Sequence, residues 1–349
     1  MAGEITRVAV AGAGAFGRNH LRVYRELEQA GEPVRLVAVV DADAGVRSAA
    51  AAKYGIAAFA SVEEMLGSGV AVDAASVCVP TIHHAGAATP LLKAGVDVLI
   101  EKPFAATLVE ADALLALAAA GGRVLQVGHL ERFNPAVAAA RGKLNRPMFF
   151  EAHRLSIFTA RSLDVDVVLD LMIHDLDIVL SLVDSPVREV RAVGLPVLSH
   201  TVDIANVRVE FENGCIANFT ASRISTERVR KLRFFQPHQY LSLDFARQDL
   251  LMIDVTAAAG LSQAQLAALI ELHSKPELPG APKHPTAGLN MSKIAVEAGE
   301  PLRLELAAFL KAVRERSRPV VDGADGRRAL GLALEINAAI AAHAARVGL

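Results

Sequence analysis

The first third of the chain alternates short apolar runs with helix-forming segments, and this alternation constrains the fold more than any other feature of the sequence. Helices are expected between strand-like runs near residues 7–12, 34–41, 56–59, 74–80, 96–103 and 123–129. Strands this apolar, separated by helices, are typical of a parallel sheet that is covered on both faces. The sequence therefore predicts an N-terminal α/β domain of the Rossmann type, with a doubly wound parallel sheet.

The pattern changes after about residue 130. Helical stretches are expected near 134–144 and 167–183, and strand-like runs dominate elsewhere, with Asn213–Gly214 as a hairpin turn. Residues 274–288 are rich in Pro and Gly and read as a surface loop. We predict a second α/β domain built on an open, mostly antiparallel sheet, with the chain divided into residues 1–128 and 129–349.

Composition excludes several classes of protein. The 349 residues suit two domains, and the net charge of −2 gives no electrostatic case for binding nucleic acid. No run approaches the roughly 20 uninterrupted apolar residues of a membrane-spanning helix. The two cysteines form no Cys-x-x-Cys pair, so neither a disulfide framework nor a cysteine–zinc site is expected. We expect a cytoplasmic protein.

A glycine-rich turn follows the first predicted strand. Gly12, Gly14 and Gly17 fit the pattern G-x-G-x-x-G, with Ala15 and Phe16 between them, and the next helix starts there. In this context the first glycine allows a tight turn, the second a close approach to a pyrophosphate, and the third close packing of helix on strand. A dinucleotide cofactor is the favoured interpretation, and a glycine turn without a ligand is the alternative.

Asp41 ends the second predicted strand, 24 residues after Gly17. A carboxylate at this place can accept hydrogen bonds from the adenosine ribose and would repel a 2′-phosphate. The next arginine is Arg47, and no arginine follows directly. NAD is therefore favoured over NADP. The structural alternative for Asp41 is a helix N-cap, although Asp43 could fill that role instead.

Two further stretches carry residues suited to acid–base chemistry. Lys102 follows the fifth strand, at the edge where doubly wound sheets bind ligands. The predicted helix 167–183 is apolar except for one stripe at helical spacing, formed by Asp170, His174, Asp177 and Ser181. Such a stripe can line a cavity, face water or contain a satisfied core histidine. A metal site there is not favoured, because no matching ligand cluster occurs elsewhere.

Several motifs together resemble one family. The glycine turn, "VPTIHH" (79–84), "AGVDVLIEKP" (94–103), "QVGHLERFNP" (126–135) and Asp170-x-x-x-His174 occur in that order. The whole set is similar to the glucose–fructose oxidoreductase, inositol dehydrogenase and MocA family. This resemblance implies a Rossmann domain, a second domain whose sheet makes homodimers or homotetramers, and an NAD-dependent oxidoreductase acting on a CH–OH group. It implies Lys102, Asp170 and His174 as the catalytic group, and NAD contacts by the glycine turn, Asp41, Pro80, Thr81, His84, Glu101 and Lys102.

Three stretches narrow the resemblance further: "GHLERFNPA" (128–136), "MIHDLDIVLSL" (172–182) and "RKLRFFQPHQYLSLDFARQ" (230–248). With these, the chain looks most like members of the family that oxidise UDP-N-acetylglucosamine to a 3-oxo sugar on the way to lipid A. A diphosphate substrate would need cations, and four arginines are candidates: Arg132, Arg154, Arg161 and Arg233. The expected mechanism has Lys102 or His174 as the base, with Asp170 orienting the histidine or binding a neighbouring hydroxyl. The sequence does not choose between the two bases, and it gives Asp175 no role.

Two alternatives stay open at this point. One is a dehydrogenase of the same family that acts on an inositol, a free sugar or another small molecule. The other is a non-catalytic NAD-binding sensor, which the presence of Lys102, Asp170 and His174 argues against.

Overall fold

The computed structural model describes residues 5–158, 165–255, 261–265, 267–268 and 290–348. The chain forms two compact units, and neither is continuous in sequence. The first consists of Met1–Phe133, Leu176–Leu180 and Gly299–Glu335, and the second of Asn134–Asp175, Ser181–Ala298 and Ile336–Leu349. The Pro- and Gly-rich segment 274–288 lies outside the described residues.

Nine α-helices have both ends within the described residues, in addition to the helical residues 263–265 and 267–268. In chain order they are α1 (Gly17–Gln29), α2 (Ala44–Tyr54), α3 (Val62–Gly67), α4 (His84–Lys93), α5 (Leu108–Gly121), α6 (Pro135–Arg141), α7 (Ile173–Leu182), α8 (Pro301–Glu315) and α9 (Gly323–Val347). A π-helical turn, Val168–Met172, leads directly into α7. Short 3-10 turns occur at Thr81–His83 and Leu130–Phe133.

The first unit is built on a parallel six-stranded sheet in the order β3-β2-β1-β4-β5-β6. Its strands are β1 (Thr6–Ala11), β2 (Val34–Val40), β3 (Ala57–Phe59), β4 (Ala74–Val77), β5 (Asp97–Glu101) and β6 (Leu125–Gly128). The predicted Rossmann sheet is therefore confirmed. The strand order reverses between β1 and β4, and ligands of doubly wound sheets bind at the carboxyl ends of the strands flanking such a reversal.

One apolar core fixes helix α1 on this sheet. Leu21, Tyr24 and Leu27 of α1 are buried together with Val8 of β1 and Phe309 of α8. The apolar residues of α1 recur at helical spacing, which turns one face of the helix to the strands. Because α1 starts at Gly17, this packing also fixes the position of the glycine turn.

The second unit contains an eight-stranded sheet in the order β14-β13-β12-β11-β7-β10-β9-β8. Its strands are β7 (Phe149–Leu155), β8 (Val187–Leu195), β9 (Ile204–Phe211), β10 (Ile216–Ser222), β11 (Val229–Gln236), β12 (Gln239–Asp244), β13 (Asp249–Asp254) and β14 (Asn290–Ile294). Within the described strands β7 and β10 pair in parallel and the other pairs are antiparallel, so the predicted, mostly antiparallel sheet is confirmed.

Alternation along the strands gives this second sheet one buried and one open face. Phe150, Phe219 and Phe234 lie on the buried face, where they are at most 1% exposed. The hairpin between β9 and β10 turns at Gly214, which has a φ of +82°, a left-handed conformation that glycine adopts without strain. The predicted turn at Asn213–Gly214 is therefore in place.

Helix α9, at 25 residues, is long and apolar enough to cross a membrane by length and composition alone. Within the first unit, however, Gly326 packs so closely on Val127 that a Cβ would lie 2.5 Å from a methyl group of that side chain. Ala329, Leu330 and Ala333 are also buried. The first half of α9 therefore packs within the first unit.

Candidate active site

The glycine turn between β1 and α1 uses its three glycines for three different reasons. Gly12 has a φ of +90°, and a Cβ there would lie 2.6 Å from the backbone nitrogen of Val79. A Cβ on Gly17 would lie 1.8 Å from the carbonyl oxygen of Gly12. Gly14 is exposed and has no atom within 4 Å of its Cβ position, so space is open beside it. This arrangement fits the close approach of a pyrophosphate group.

Asp41 is oriented toward the glycine turn by backbone hydrogen bonds. Its Oδ2 accepts from the N–H of Ala13 at 2.7 Å, and its Oδ1 accepts from the N–H of Asp43 at 2.9 Å. The N-cap of α2 is Asp43, whose side chain accepts from Val46. Asp41 is thus half-buried at the end of β2 without being the helix cap, in the place where an adenosine ribose is bound in Rossmann folds.

Pro80, Thr81 and His84 follow β4, whereas Glu101 ends the neighbouring strand β5 and Lys102 follows it directly. All five predicted residues therefore lie at the carboxyl edge of the first sheet. His84 is only 1% exposed, and its ring nitrogens lie 2.9 Å from the carbonyl oxygens of Val79 and Pro103. Burial lowers the pKa of the His84 imidazole, and those carbonyls and Glu101 oppose this effect.

The Glu101 carboxylate is held from two sides. Its Oε1 lies 2.9 Å from Nε2 of His20, and its Oε2 accepts from the N–H of Lys102 at 3.3 Å. Gly128 of β6 leaves the necessary space, since a Cβ there would lie 2.7 Å from Oε1 of Glu101. Lys102 itself is half-buried. The acid next to the candidate catalytic lysine is thus fixed in position by its own unit.

A buried histidine lies in the same region. His129 follows β6 and is 1% exposed. Burial lowers the pKa of its imidazole; Asp177 opposes this shift, and the positive charges of Arg132 and Lys102 reinforce it. His129 is therefore a neutral ring among charged groups at the carboxyl edge of the sheet.

Asp170 and His174 lie one helical turn apart in the second unit. Asp170 belongs to the π-helical turn Val168–Met172, and His174 is the second residue of α7. Both side chains are half-buried. The turn is fixed at its start by Asp166, which accepts hydrogen bonds from the N–H groups of Val168 and Leu169. Single π-helical turns inserted into helices are frequent at functional sites.

The remaining acids of α7 form buried ion pairs. Within the first unit, Nε of Arg132 donates to Asp177 at 2.8 Å, and its Nη2 lies 3.3 Å from Asp325. Within the second unit, Arg154 donates to both carboxylate oxygens of Asp175, at 2.9 and 2.8 Å. This pairing gives Asp175 the role that the sequence left open.

The other two candidate phosphate-binding arginines differ from this pair. Arg233 lies on β11, is 40% exposed at its side chain, and has Glu151 at 3.9 Å. Arg161 lies outside the described residues. No group of three or more metal-ligating side chains occurs in the part of the chain that the structure describes.

Three residues of this site were not anticipated from the sequence: His20, Gly128 and His129. His20 lies on the apolar face of α1, next to Leu21 and one turn before Tyr24, and is fully buried. A histidine on a core-facing stripe beside a glycine turn is the signal that would have found it. Gly128 and His129 adjoin each other at the end of β6, within the motif "QVGHLERFNP", and that motif is the signal that could have found them.

Comparison with known proteins agrees with this geometry. Residues 6–129 match the model of the GFO/IDH/MocA oxidoreductase family with an NAD-binding Rossmann fold, and residues 136–236 match the C-terminal domain of the same family. The UDP-N-acetylglucosamine 3-dehydrogenase of Acidithiobacillus ferrooxidans is 34% identical over 97% of this chain and 99% of its own length. An inositol 2-dehydrogenase of Leifsonia xyli is 32% identical over 53% of this chain and 55% of its own length.

Solved structures show the same fold. A crystal form of the Acidithiobacillus ferrooxidans enzyme superposes with a TM-score of 0.82 at 32% identity, covering 97% of this chain and 98% of that one. Levoglucosan dehydrogenase with NADH and L-sorbose superposes at 0.79 over 97% of both chains, and its 16% identity supports the fold alone. By both domain models and by its full-length relative, the chain belongs to the glucose–fructose oxidoreductase, inositol dehydrogenase and MocA family of NAD-binding oxidoreductases.

Proposed function

We propose that the protein is an NAD-dependent dehydrogenase that oxidises a secondary ring hydroxyl of a nucleotide sugar, converting UDP-N-acetylglucosamine to its 3-oxo form. The observation that carries this proposal is the extent of the likeness. The UDP-N-acetylglucosamine 3-dehydrogenase aligns over 97% of the chain, whereas the inositol 2-dehydrogenase aligns over 53%. A full-length likeness includes the second unit, which holds Asp170 and His174.

The proposed cofactor is NAD rather than NADP. Asp41 supports this choice, because its carboxylate is already oriented by the Ala13 amide at the turn where the cofactor is expected. A carboxylate there accepts hydrogen bonds from ribose hydroxyls and repels a 2′-phosphate. Further proposed contacts are the glycine turn (Gly12, Gly14, Ala15, Phe16 and Gly17), Pro80, Thr81, Glu101 and Lys102.

In the proposed mechanism, Lys102, Asp170 and His174 form the catalytic group. Bound NAD supplies the acceptor for the hydride that leaves the carbinol carbon. Either Lys102 or His174 removes the hydroxyl proton, so that the C–O bond becomes a carbonyl. Asp170 orients His174 or binds a neighbouring hydroxyl, and its position on a π-helical turn one turn from His174 suits either role.

We propose that cations in the protein bind the diphosphate of the substrate. The candidates are Arg132, Arg154, Arg161 and Arg233. Arg132 and Arg154 each have a buried carboxylate partner, so they would contribute a charge already balanced in part. Arg233 has a longer ion pair and more exposure, which leaves more of its guanidinium available to a ligand.

The open face of the second sheet supports a homodimer or homotetramer as the working form. The exposed or half-exposed residues there include Glu151, Arg233 and Phe235. We further propose a cytoplasmic enzyme whose product is aminated for lipid A. Light scattering of the purified protein checks the assembly, and a monomer at micromolar concentration would contradict it.

A substrate screen tests the function directly. NADH formation is measured with UDP-N-acetylglucosamine, UDP-glucose, free N-acetylglucosamine and myo-inositol. We expect turnover with UDP-N-acetylglucosamine to exceed that with each of the others. Turnover confined to myo-inositol or a free hexose contradicts the substrate, and NAD binding without turnover of any polyol supports the sensor alternative.

The catalytic group is tested with Lys102→Ala and His174→Ala. Loss of a general base typically costs about 10²–10⁴-fold in rate. The pH–rate profiles of wild type and both variants show which side chain produces the acid limb. If both variants keep near-normal turnover, the proposed mechanism is wrong.

A further inference from the structure

His84 opens helix α4, where a polar side chain would ordinarily be partly solvated, yet only 1% of it is exposed. Its Nδ1 lies 2.9 Å from the carbonyl oxygen of Pro103, and its Nε2 lies 2.9 Å from the carbonyl oxygen of Val79. Both ring nitrogens are therefore directed at the backbone of the same unit. The imidazole has no nitrogen left with which to contact a cofactor directly.

The two carbonyls belong to segments that follow neighbouring parallel strands, β4 and β5. Both carbonyl groups lie beyond the last paired residues of these strands, Val77 in β4 and Glu101 in β5, so the sheet ladder does not hold them. Backbone carbonyls in such positions need donors from elsewhere. Hydrogen bonds to both carbonyls require an N–H on each ring nitrogen, so only the protonated ring of His84 links the ends of the two strands at once, whereas the neutral ring can donate to one carbonyl alone.

Each linked segment adjoins a different part of the candidate site. Pro103 directly follows Lys102, one of the two candidate bases. Val79 directly precedes Pro80 and packs on the glycine turn, since a Cβ on Gly12 would lie 2.6 Å from its backbone nitrogen. The contact of Nδ1 with Pro103 can thus affect the position of Lys102. The contact of Nε2 with Val79 can affect the shape of the turn that is expected to hold the pyrophosphate.

We propose that His84, with both ring nitrogens protonated, is a positioning residue with two separable effects, in which its Nδ1 hydrogen bond sets the position of Lys102 and its Nε2 hydrogen bond sets the shape of the cofactor turn. This inference rests on the proposed dehydrogenase function for its catalytic half, whereas its cofactor half requires dinucleotide binding alone. It replaces the expected direct contact between His84 and NAD with an indirect one through Val79 and Pro103.

Two amide variants separate the effects, because the side-chain nitrogen of Asn reaches about as far as Nδ1 and that of Gln about as far as Nε2. His84→Asn keeps a donor for Pro103 and loses the one for Val79. His84→Gln keeps a donor for Val79 and loses the one for Pro103. His84→Phe keeps an aromatic ring at this position and offers no donor to either carbonyl.

The measurements are kcat with UDP-N-acetylglucosamine, Kd for NADH, and the rate at which acetic anhydride acetylates Lys102. For His84→Asn we expect a kcat within about threefold of wild type and an NADH Kd raised by about tenfold, the scale of one lost hydrogen bond. For His84→Gln we expect an unchanged Kd, a changed acetylation rate and a kcat lowered by about 10- to 100-fold, the scale of a small misplacement of a catalytic group. His84→Phe is expected to show both defects.

His83→Asn serves as the matched control, because His83 is the exposed neighbour in the same turn and lies outside the proposed site. It is expected to leave all three measurements unchanged. If the Asn and Gln variants change kcat and Kd in the same proportion, or if the Phe variant behaves as wild type, the proposal is overturned. Should the Phe variant fail to fold, the contrast between Asn and Gln decides.

The two proposals fail in different ways. A wild-type enzyme that turns over no sugar contradicts the proposed function, yet the NADH affinities and the acetylation rates of Lys102 still test His84. A wild-type enzyme that oxidises UDP-N-acetylglucosamine, combined with His84 variants that show no Asn–Gln contrast, contradicts only the positioning role.

Discussion

The carboxylate of Asp41 accepts a hydrogen bond from the backbone N–H of Ala13 at 2.7 Å, which ties the end of β2 to the glycine turn after β1. The acid and the turn therefore fix each other before any cofactor binds. Preorganisation of this kind lowers the cost of ordering the groups that contact a ligand. Asp41 is accordingly the residue on which cofactor choice is expected to depend.

Replacing Asp41 with Ser is expected to narrow the preference for NAD over NADP. The substitution removes the repulsion of a 2′-phosphate and the acceptor for the ribose hydroxyls, so KM for NAD should rise by roughly 5- to 100-fold, the range of one or two lost hydrogen bonds. Asp43→Asn is the control, because it retains an N-cap for α2 and should keep the wild-type preference. Equal NAD/NADP ratios of kcat/KM in wild type and Asp41→Ser would refute the assignment.

Substitutions at two glycines of the turn should have different effects, with Gly14→Ala weakening cofactor binding and Gly17→Ala lowering stability. Gly14→Ala meets no atom within 4 Å, so the thermal midpoint should stay near that of wild type while Kd for NADH rises by about tenfold or more, since the pyrophosphate needs that space. Gly17→Ala would force a Cβ to 1.8 Å from the Gly12 oxygen, so it should lower the thermal midpoint itself. Calorimetry and NADH titration check both, and a Gly14→Ala protein with unchanged affinity would argue against a pyrophosphate there.

Glu305 is expected to make stability depend on pH. Burial, foremost, raises the pKa of its carboxyl group well above the usual 4.5, and the charges of Glu101 and Asp177 add to the shift. Between 4.5 and the raised value, the folded protein retains a proton that the unfolded chain releases, so stability falls as pH rises, by at most about 1.4 kcal/mol per pH unit. Glu305→Gln removes this dependence.

Thermal midpoints measured from pH 5 to pH 8 should therefore fall more steeply for wild type than for Glu305→Gln. Glu315→Gln, at an exposed position on the same helix, is the control and should follow the wild-type curve. If the thermal midpoints of wild type and Glu305→Gln change with pH in parallel, the Glu305 carboxyl has the same pKa in the folded and the unfolded chain, and the prediction is wrong.

The buried pair of Arg154 and Asp175 should be important for the stability of the second unit. Asp175→Asn leaves a buried guanidinium without its charge partner, which typically costs about 3–5 kcal/mol. The exposed pair of Arg191 and Glu189 is the control, and Glu189→Gln should cost no more than about 1 kcal/mol. Urea denaturation measures the free energy of unfolding of both variants. Similar decreases in the two would contradict the importance of the buried ion pair for stability.

Local patterns along the chain were sufficient to predict the parallel sheet, the glycine turn and the mostly antiparallel second sheet. Each depends on neighbours close in sequence: a strand followed by glycines, alternation along β9 and β10, and a turn at Asn213–Gly214. The prediction of a helix at 167–183 was also close, but the first turn of that helix is π-helical, with Asp166 accepting a hydrogen bond from the N–H of Val168, and residue spacing did not indicate this backbone.

The remaining features depend on partners distant in sequence. Asp175 fell off the polar stripe of its helix and looked unexplained, because its partner Arg154 lies on a strand 21 residues away. Asp177 lay on the stripe but pairs with Arg132, 45 residues away. His84 stays a predicted cofactor residue, and the nearness of its ring nitrogens to the carbonyls of Val79 and Pro103 is a feature that no pattern of side chains reveals.

The discontinuity of the first unit has a consequence for recombination between relatives. Arg132 lies in the opening stretch of that unit, and its ion-pair partners Asp177 and Asp325 come from the two other stretches. The N–H of Val127 likewise donates to the carbonyl of Val321. Consider a chimera that takes only residues 1–133 from a relative. Strand β6 and Arg132 then come from one protein, and the residues that they bind come from the other. Exchange of all three stretches together is the smallest transplant that preserves this unit, which limits how cofactor-binding modules can be exchanged in such a chain.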